Sequence, residues 1–343
     1  ERDGGVGGVK IQEEECETAY NTQKGVECYE AIKGSNPLVV IPQSTGITYQ
    51  LIPKATADQI PIWSTGYGRT SAVNGKVFPW VFIVPGTYWD AASVMTKYAM
   101  EQEGGSLEGK KIAFLHLDHP YGKEPLPLLE KLSADKGFEM VPIPVGLKEM
   151  QNQSAQWLQI RRERPDYVVM WGWGAMNAGA ITEAVKTKFP MENFIGVWWA
   201  GHDADLKIVG ADGAGYKSIS WSYPVLDAPV LADIKQHVVD AGDSMSNPEE
   251  MEGVFYNRGL VISMILAEGI KAAQEHTGNA EITAADLRWG LENLNITEER
   301  LAELGMPGMV PPFQTTCANH TGHSGGWMLE WDGEKFVKVS DLL

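Results

Sequence analysis

The sequence is poor in cysteine, in basic residues and in long apolar runs, and each shortage excludes a class of protein. Three cysteines among 343 residues (Cys16, Cys28 and Cys317) are too few and too scattered for a zinc knuckle or a disulfide scaffold. Basic residues number 28 against 45 acidic ones, and the net charge of −17 argues against nucleic acid and anionic membrane surfaces as partners. No apolar run reaches the roughly 18 residues that span a bilayer, so we expect no membrane insertion.

The cysteines allow one disulfide and one free thiol, which would suit an oxidising compartment. The sequence alone does not choose the pair. The chain also lacks a sensible beginning, because residues 1–5 are typical of the turn before a strand. We therefore expect a preceding piece that holds a signal, a first strand and a first helix.

Strand and helix patterns alternate with the spacing of parallel, doubly wound sheets. The length of 343 residues favours two domains. Predicted strands cover residues 9–14, 37–41, 60–64, 80–84, 111–117, 138–145, 167–171, 194–199 and 217–222. Predicted helices cover about 21–33, 45–59, 88–102, 124–136, 151–162, 175–186, 228–241, 249–273 and 284–294. Residues 327–331 and 336–339 form a hairpin, for which Asp332-Gly333 indicates a type I′ turn.

Four tryptophans stand at the ends of two predicted strands, Trp171 and Trp173 after one, Trp198 and Trp199 at the other. In open α/β sheets, ligands bind outside the carboxyl ends of the strands. We therefore interpret the indoles as one wall of a pocket for a small organic molecule. Since side chains alternate along a strand, we expect about two of the four to lie in the core instead.

An earlier part of the chain repeats this arrangement, with strand-end turns at residues 43–46 and 65–68. Two lobes that face each other would enclose a ligand between four such turns. We expect the lobes to be joined near residues 85–86, 223–224 and 307–312.

The sequence gives little evidence for a catalytic site or a cofactor site. Gly172-Trp173-Gly174 follows a strand and opens a helix, but Gly179 is misplaced for a dinucleotide fingerprint and a tryptophan stands where pyrophosphate must approach. His116 and His119 hint at a metal site, yet the remaining histidines lie in unrelated contexts. No nucleophile elbow is present. We predict no catalytic residues, no cofactor, no metal and no enzyme activity.

The ordered segments of the chain resemble the type I periplasmic solute-binding proteins of ABC transporters, in the branch usually labelled branched-chain amino acid binding. The resemblance covers nearly the whole chain except the family's first strand and helix. It implies two doubly wound lobes joined by a three-segment hinge, with residues 1–86 and 224–307 in the first lobe and 87–223 and 308–343 in the second. The segments that carry it are 13–30 (EEECETAYNTQKGVECYE), 41–68, 116–122 (HLDHPYG), 166–203 and 317–343.

The resemblance also implies a set of ligand contacts. In this family the first lobe holds a ligand carboxylate with a hydroxyl and backbone amides at a helix N-terminus, a place that favours an anion. Trp173 stands where the family covers the ligand with an aromatic ring, and Tyr256 matches a further aromatic contact. The full predicted set is Thr45 and Gly46 in the first turn, Gly66, Tyr67 and Gly68 in the second, Tyr88 after the first crossover, and Trp173, Trp198, Trp199 and Tyr256.

One departure from the family concerns the ligand. Members that bind α-amino acids pair the ammonium with an acidic side chain at the end of the strand that matches residues 194–199, where this chain has Trp198 and Trp199. The nearest acids, Asp203 and Asp205, come slightly later. Because an unpaired ammonium is costly to desolvate, an aromatic or other apolar carboxylate fits the indoles better. A cation–π contact would still admit a branched-chain or apolar amino acid.

The resemblance therefore predicts the extracytoplasmic solute-binding component of an ABC importer, periplasmic or lipid-anchored, which delivers a small carboxylate to a permease in the inner membrane. The alternative is a ligand-sensing domain of a regulator or receptor with the same fold. Cys16 matches a position that is often disulfide-bonded in the family, but Ser44 occupies the usual partner position, so Cys28 or Cys317 would have to substitute. The ligand, the permease, the pairing and the oligomeric state stay open.

Overall fold

A computed structural model describes residues 4–245 and 247–343. The helices are α1 Thr22–Ile32, α2 Thr45–Asp58, α3 Tyr88–Gln102, α4 Pro120–Lys123, α5 Leu126–Lys136, α6 Ser154–Glu163, α7 Ala175–Thr187, α8 Asp203–Lys207, α9 Pro229–Ile234, α10 Val254–Thr277, α11 Ala284–Glu292 and α12 Glu298–Glu303. The strands are β1 Ile62–Trp63, β2 Val81–Phe82, β3 Lys111–Leu117, β4 Glu139–Val145, β5 Tyr167–Trp171, β6 Phe194–Gly196, β7 Lys217–Ser220, β8 Asn295–Ile296, β9 Phe313–Gln314, β10 Trp327–Trp331 and β11 Phe336–Lys338. This alternation confirms the predicted α/β class.

The chain divides into two compact units. Unit 1 runs up to Tyr88 and adds residues 259–303 and 311–324, while unit 2 comprises residues 89–258, 304–310 and 325–343. The sequence-based lobes placed 224–258 with the first lobe, but here this segment clusters with unit 2. Its end is held there because Val254 N donates to Asp203 Oδ2 at 2.8 Å.

Residues 311–324, predicted in the second lobe, cluster with unit 1. His320 explains this placement, since its backbone N donates to Val73 O at 2.8 Å and its carbonyl accepts from Ile83 N at 3.3 Å. The buried imidazole also stacks on Phe82, with ring centroids 4.1 Å apart.

A seven-stranded sheet forms the centre of unit 2, in the order β11-β10-β7-β6-β5-β3-β4. Strands β3 to β7 pair in parallel, and β10 pairs antiparallel with β7 and β11. All five residues of β5 are buried, as expected for a parallel strand covered on both faces. Because β5, β6 and β7 are parallel neighbours, their carboxyl ends meet at one edge of the sheet.

In unit 1, α1 packs against α2, and α2 packs against β1, which pairs in parallel with β2. Val40 adds a bridge to Ile62, so the predicted strand 37–41 is reduced to one paired residue. Gly25 permits the close approach of the helices, because a Cβ there would lie 2.5 Å from the Ile47 side chain. Cys28 at α1 is bonded to Cys16, and Cys317 carries an exposed free thiol. The structure thus makes the choice that the sequence left open.

Two local predictions are wrong for identifiable reasons. The strand predicted over residues 9–14 is reduced to one bridge between Val9 and Val6, because residues 10–14 are exposed and bury no apolar side chain. The strand predicted to reach residue 199 ends at Gly196, and Trp198–Ala200 form a 3₁₀ turn. The hairpin, by contrast, forms as predicted, since Trp331 pairs with Phe336. Its loop has four residues, and Asp332 Oδ1 accepts two backbone N–H groups within it. Within the described residues, no helix has the length and apolarity needed to cross a bilayer.

Candidate functional site

The two predicted turns of unit 1 lie together. Thr45 is the first residue of α2, and its hydroxyl accepts from Gly68 N at 3.3 Å. Tyr67 joins the same group, because its hydroxyl accepts from Gln43 N at 2.8 Å. The structure therefore brings the start of α2 and the turn after β1 to one place, although residues 45 and 68 are far apart in sequence.

Glycine is required in the second turn. Gly66 and Gly68 have φ values of +69° and +106°, a region that other L-residues rarely adopt. A Cβ on Gly68 would also lie 3.1 Å from Thr48 Cγ2. Gly46 lies in the first turn of α2, whose backbone N–H groups and positive dipole end favour an anion. This part of unit 1 has the chemistry of a carboxylate-binding turn, and its ligand role stays a prediction.

The four predicted strand-end indoles, all in unit 2, divide into two pairs. Trp171 and Trp198 are almost fully buried. Trp173 and Trp199 are only partly buried and meet edge to face, with ring centroids 5.7 Å apart at 89°. The structure thus separates two core indoles from two that remain partly accessible. Strand alternation is not the cause, because Trp173 lies beyond the end of β5 and Trp198 and Trp199 lie in a 3₁₀ turn after β6.

The accessible pair belongs to a larger aromatic cluster, which we define as Trp173, Trp199, Phe255 and His202. Phe255 meets Trp199 edge to face at 6.0 Å and stacks on His202 at 4.5 Å. Phe255 is a member of this cluster that the sequence analysis missed. The signal for it was weak, because it lies in the first turn of α10, far along the chain from the tryptophans.

Two other predicted site residues lie at the start of helices. Tyr88 begins α3 and is almost fully buried. Tyr256 follows Phe255 in α10 and is partly exposed, and burial raises the pKa of its hydroxyl. Adjacent helical residues point about 100° apart, so Tyr256 and Phe255 do not share a face of α10.

The nearest acids already accept hydrogen bonds from the protein. Asp203 Oδ2 accepts from Val254 N at 2.8 Å, and Asp205 Oδ2 accepts from Asn177 Nδ2 at 3.0 Å. Asn177 Nδ2 also donates to the carbonyl of Trp199 at 2.9 Å. Burial raises the pKa of both carboxyls, since the charged form loses hydration. Both acids thus help to fix the start of α10 and the Trp199 backbone.

A second residue missed in the sequence is Arg258, one helical turn after Phe255 and 2% exposed. Its Nη1 donates to Trp198 O at 2.7 Å, and its Nη2 donates to Ser220 Oγ at 3.0 Å. Burial lowers the pKa of Arg258 to about 9, which leaves the guanidinium charged at neutral pH. The i, i+3 spacing of Phe255 and Arg258 was the available signal, but it did not show which strand ends the helix meets.

The two histidines that suggested a metal site in the sequence make other contacts in the structure. His116 Nδ1 donates to Leu117 O at 3.1 Å, and the ring stacks on Phe114. His119 Nδ1 accepts from Tyr121 N at 3.4 Å and caps α4. Burial lowers the pKa of both histidines. Across residues 4–245 and 247–343, no group of three or more metal-ligating side chains comes together.

In unit 1, parallel strands end in turns beside a helix N-terminus. In unit 2, parallel strands end near partly accessible aromatic rings. These features are those of a type I binding protein. The chain belongs to the periplasmic binding protein family, whose model matches residues 1–335. No curated protein matches it. Its fold and family are those of the substrate-binding proteins that ABC transporters use.

Three solved structures illustrate the likeness. A protein of the Pseudomonas fluorescens group, described as an ABC transporter permease, is 36% identical with a TM-score of 0.87, over 99% of this chain and 83% of that one. A branched-chain amino acid ABC transporter protein from Thermus thermophilus with bound valine is 19% identical (TM-score 0.78; 94% and 83% covered). An ABC transporter solute-binding protein from R. palustris in complex with benzoate is 18% identical (TM-score 0.75; 99% and 87% covered).

Proposed function

We propose that this chain is the extracytoplasmic solute-binding component of an ABC importer and that its ligand is a small aromatic or apolar carboxylate. The observation that carries the proposal is the edge-to-face pair of Trp173 and Trp199 at the carboxyl ends of two parallel strands. Indoles give a large, rigid contact surface for a ring or an apolar chain. By the resemblance, Trp198 or Trp199 stands where amino-acid binders of this family have an acid, and Trp173 stands where the family covers the ligand with an aromatic ring.

The surrounding charges favour an acid over an amino acid. Burial raises the pKa of Asp203 and Asp205 and so disfavours the charged form that would pair with a ligand ammonium. One oxygen of each carboxyl is also engaged by the protein. In unit 1, the N-terminus of α2 with Thr45 and Gly46 offers backbone N–H groups to a carboxylate. We propose that the remaining predicted residues, Gly66, Tyr67, Gly68, Tyr88, Trp198 and Tyr256, shape or support this binding.

The similar structures span the same ligand class. One holds valine and another holds benzoate, so the fold accommodates both an apolar amino acid and an aromatic acid. The indole pair favours the aromatic acid for this chain. The Cys16–Cys28 disulfide supports a periplasmic location, because such bonds persist in oxidising compartments. We further propose that the partner is a permease and that the protein performs no chemistry on its ligand.

A thermal-shift screen of benzoates, aliphatic acids and amino acids tests the proposal. A ligand that binds only the folded protein raises the melting temperature in proportion to ln(1 + [L]/Kd). We expect benzoate and other apolar acids to raise it more than leucine or valine does. If leucine or valine gives the larger shift, the interpretation of the indoles is wrong, and isothermal titration of the best ligand would then identify an amino acid site.

A further inference from the structure

Arg258 is a buried cation whose hydrogen-bond acceptors are all neutral. The Nη1 atom donates to the carbonyl of Trp198, Nη2 to the hydroxyl of Ser220, and Nε to the hydroxyl of Ser222 at 3.4 Å. A guanidinium carries five N–H donors, so two remain without an acceptor among the described residues. The hydrogen bonds hold the group in place without supplying a negatively charged partner.

No described carboxylate forms an ion pair with Arg258. Asp203 acts on it only at longer range, and the Oδ2 atom of that acid accepts from Val254 N instead. Trp221 adds to the surplus of donors, because its indole N–H is buried and finds no acceptor in the described part of the chain. A buried, unpaired charge is costly for a fold, so its retention calls for a functional reason.

The guanidinium lies over aromatic faces. Its Cζ atom is 5.2 Å from the ring centroid of Trp199, 4.8 Å from that of Phe255 and 5.2 Å from that of Trp221. All three distances fall within the range of cation–π attraction. Trp199 and Phe255 are also members of the partly accessible aromatic cluster. Each of these two rings therefore already has a cation, the Arg258 guanidinium, over one of its faces.

The effect on a ligand follows from distance. A ligand charge packed at about 3.5–4 Å on the far side of the Trp199 ring would lie roughly 9 Å from the guanidinium, given the 5.2 Å from Cζ to the centroid. At an effective dielectric constant of about 20, the interaction of two unit charges at this distance changes an affinity by on the order of tenfold. The change favours an anion and opposes a cation.

We propose that Arg258 is a specificity-determining residue. Its guanidinium, which no described carboxylate pairs, lies over the Trp199 and Phe255 rings and selects an organic anion. It disfavours a ligand that presents an ammonium group to these rings. The inference rests on the proposed function and narrows the class of ligand. The ligand is then an acid whose part that faces the rings carries no cation. It also answers the question that the indoles alone leave open, whether they hold an ammonium by a cation–π contact.

The test compares three probes of one shape, benzoate, benzamide and benzylamine, by isothermal titration. For the wild-type chain we expect benzoate to bind more tightly than benzylamine. In Arg258→Met we expect about a tenfold loss for benzoate, little change for benzamide and a gain for benzylamine. Arg258→Lys, which keeps the charge, should preserve most of the benzoate-to-benzamide ratio. A purely structural role would weaken all three probes together and leave the ratios unchanged.

A matched control is Arg288→Met, because Arg288 also lies over an indole, 5.0 Å from the centroid of Trp80 in unit 1. This variant should leave all three affinities unchanged. Arg258→Gln keeps some hydrogen bonding and replaces the Met variant if that one fails to fold. A wild-type chain that prefers benzylamine overturns the inference without any variant.

The two proposals fail differently. If the wild-type chain binds no acid at all, the proposed function is wrong, and the inference falls with it. If it binds benzoate and the neutral variants keep the wild-type ratio of benzoate to benzamide, only the role of Arg258 is wrong.

Discussion

Replacement of Trp173 by alanine should abolish most ligand affinity and leave the fold intact. The indole is only partly buried, and its ring partner is Trp199 at 5.7 Å. Loss of one edge-to-face pair costs about 1 kcal/mol. No sealed cavity forms when alanine replaces a partly exposed indole. The loss in the free energy of unfolding therefore stays below the roughly 3–5 kcal/mol typical of removing a fully buried aromatic side chain. We therefore expect a melting temperature only a few degrees lower.

The loss of affinity should be larger. A ligand ring that covers about 50 Å² of the indole hides a similar area of its own, and at about 25 cal/mol per Å² this burial contributes roughly 2.5 kcal/mol. Ring geometry adds about 0.5–1.5 kcal/mol. The sum of about 3–4 kcal/mol corresponds to an affinity lower by roughly 100- to 1,000-fold.

Isothermal titration with benzoate, together with a circular dichroism melt, measures both quantities. Trp289→Ala is the matched control, because Trp289 in α11 of unit 1 is also partly buried and stacks on one ring, His276, at 3.7 Å. The reasoning is refuted if Trp173→Ala binds benzoate as tightly as the wild-type chain does. It is also refuted if the control loses as much affinity.

Two further predictions concern stability. Loss of the Cys16–Cys28 bond, which spans 12 positions, frees a short loop in the unfolded chain and should lower the free energy of unfolding by about 3 kcal/mol. A calorimetric melt of Cys16→Ser should show this loss, and that of Cys317→Ser should not. Equal melting temperatures for the two variants would contradict the loop-entropy argument. Burial lowers the pKa of His323 to about 4, so the unfolded chain binds an extra proton below about pH 6.5 and stability should fall between pH 6.5 and 4, by up to roughly 3 kcal/mol. Urea titrations at pH 7 and 4.5 should show a smaller fall for His323→Gln, and an equal fall in both chains would count against a buried neutral imidazole.

The site illustrates how far local patterns reach. Trp173 and Trp199 were predicted because they stand close to the ends of apolar strands, and the ends of parallel strands meet at one sheet edge. Thr45 and Gly68 were predicted as residues of strand-end turns that the family resemblance matches. The contact between Thr45 Oγ1 and Gly68 N, however, joins two turns and has no signature in either one.

The amino-acid sequence by itself determined the α/β class and most of the elements of unit 2, because continuous apolar strands such as β5 are stable only when a parallel sheet buries both of their faces. It also determined the bounds of α3, which match the prediction. Only the tertiary structure decided which cysteine pairs with Cys16 and what surrounds Arg258. The physical reason is distance along the chain: Trp198, Ser220 and Arg258 come together only when α10 packs against the ends of β6 and β7, and local periodicity carries no information about such long-range contacts.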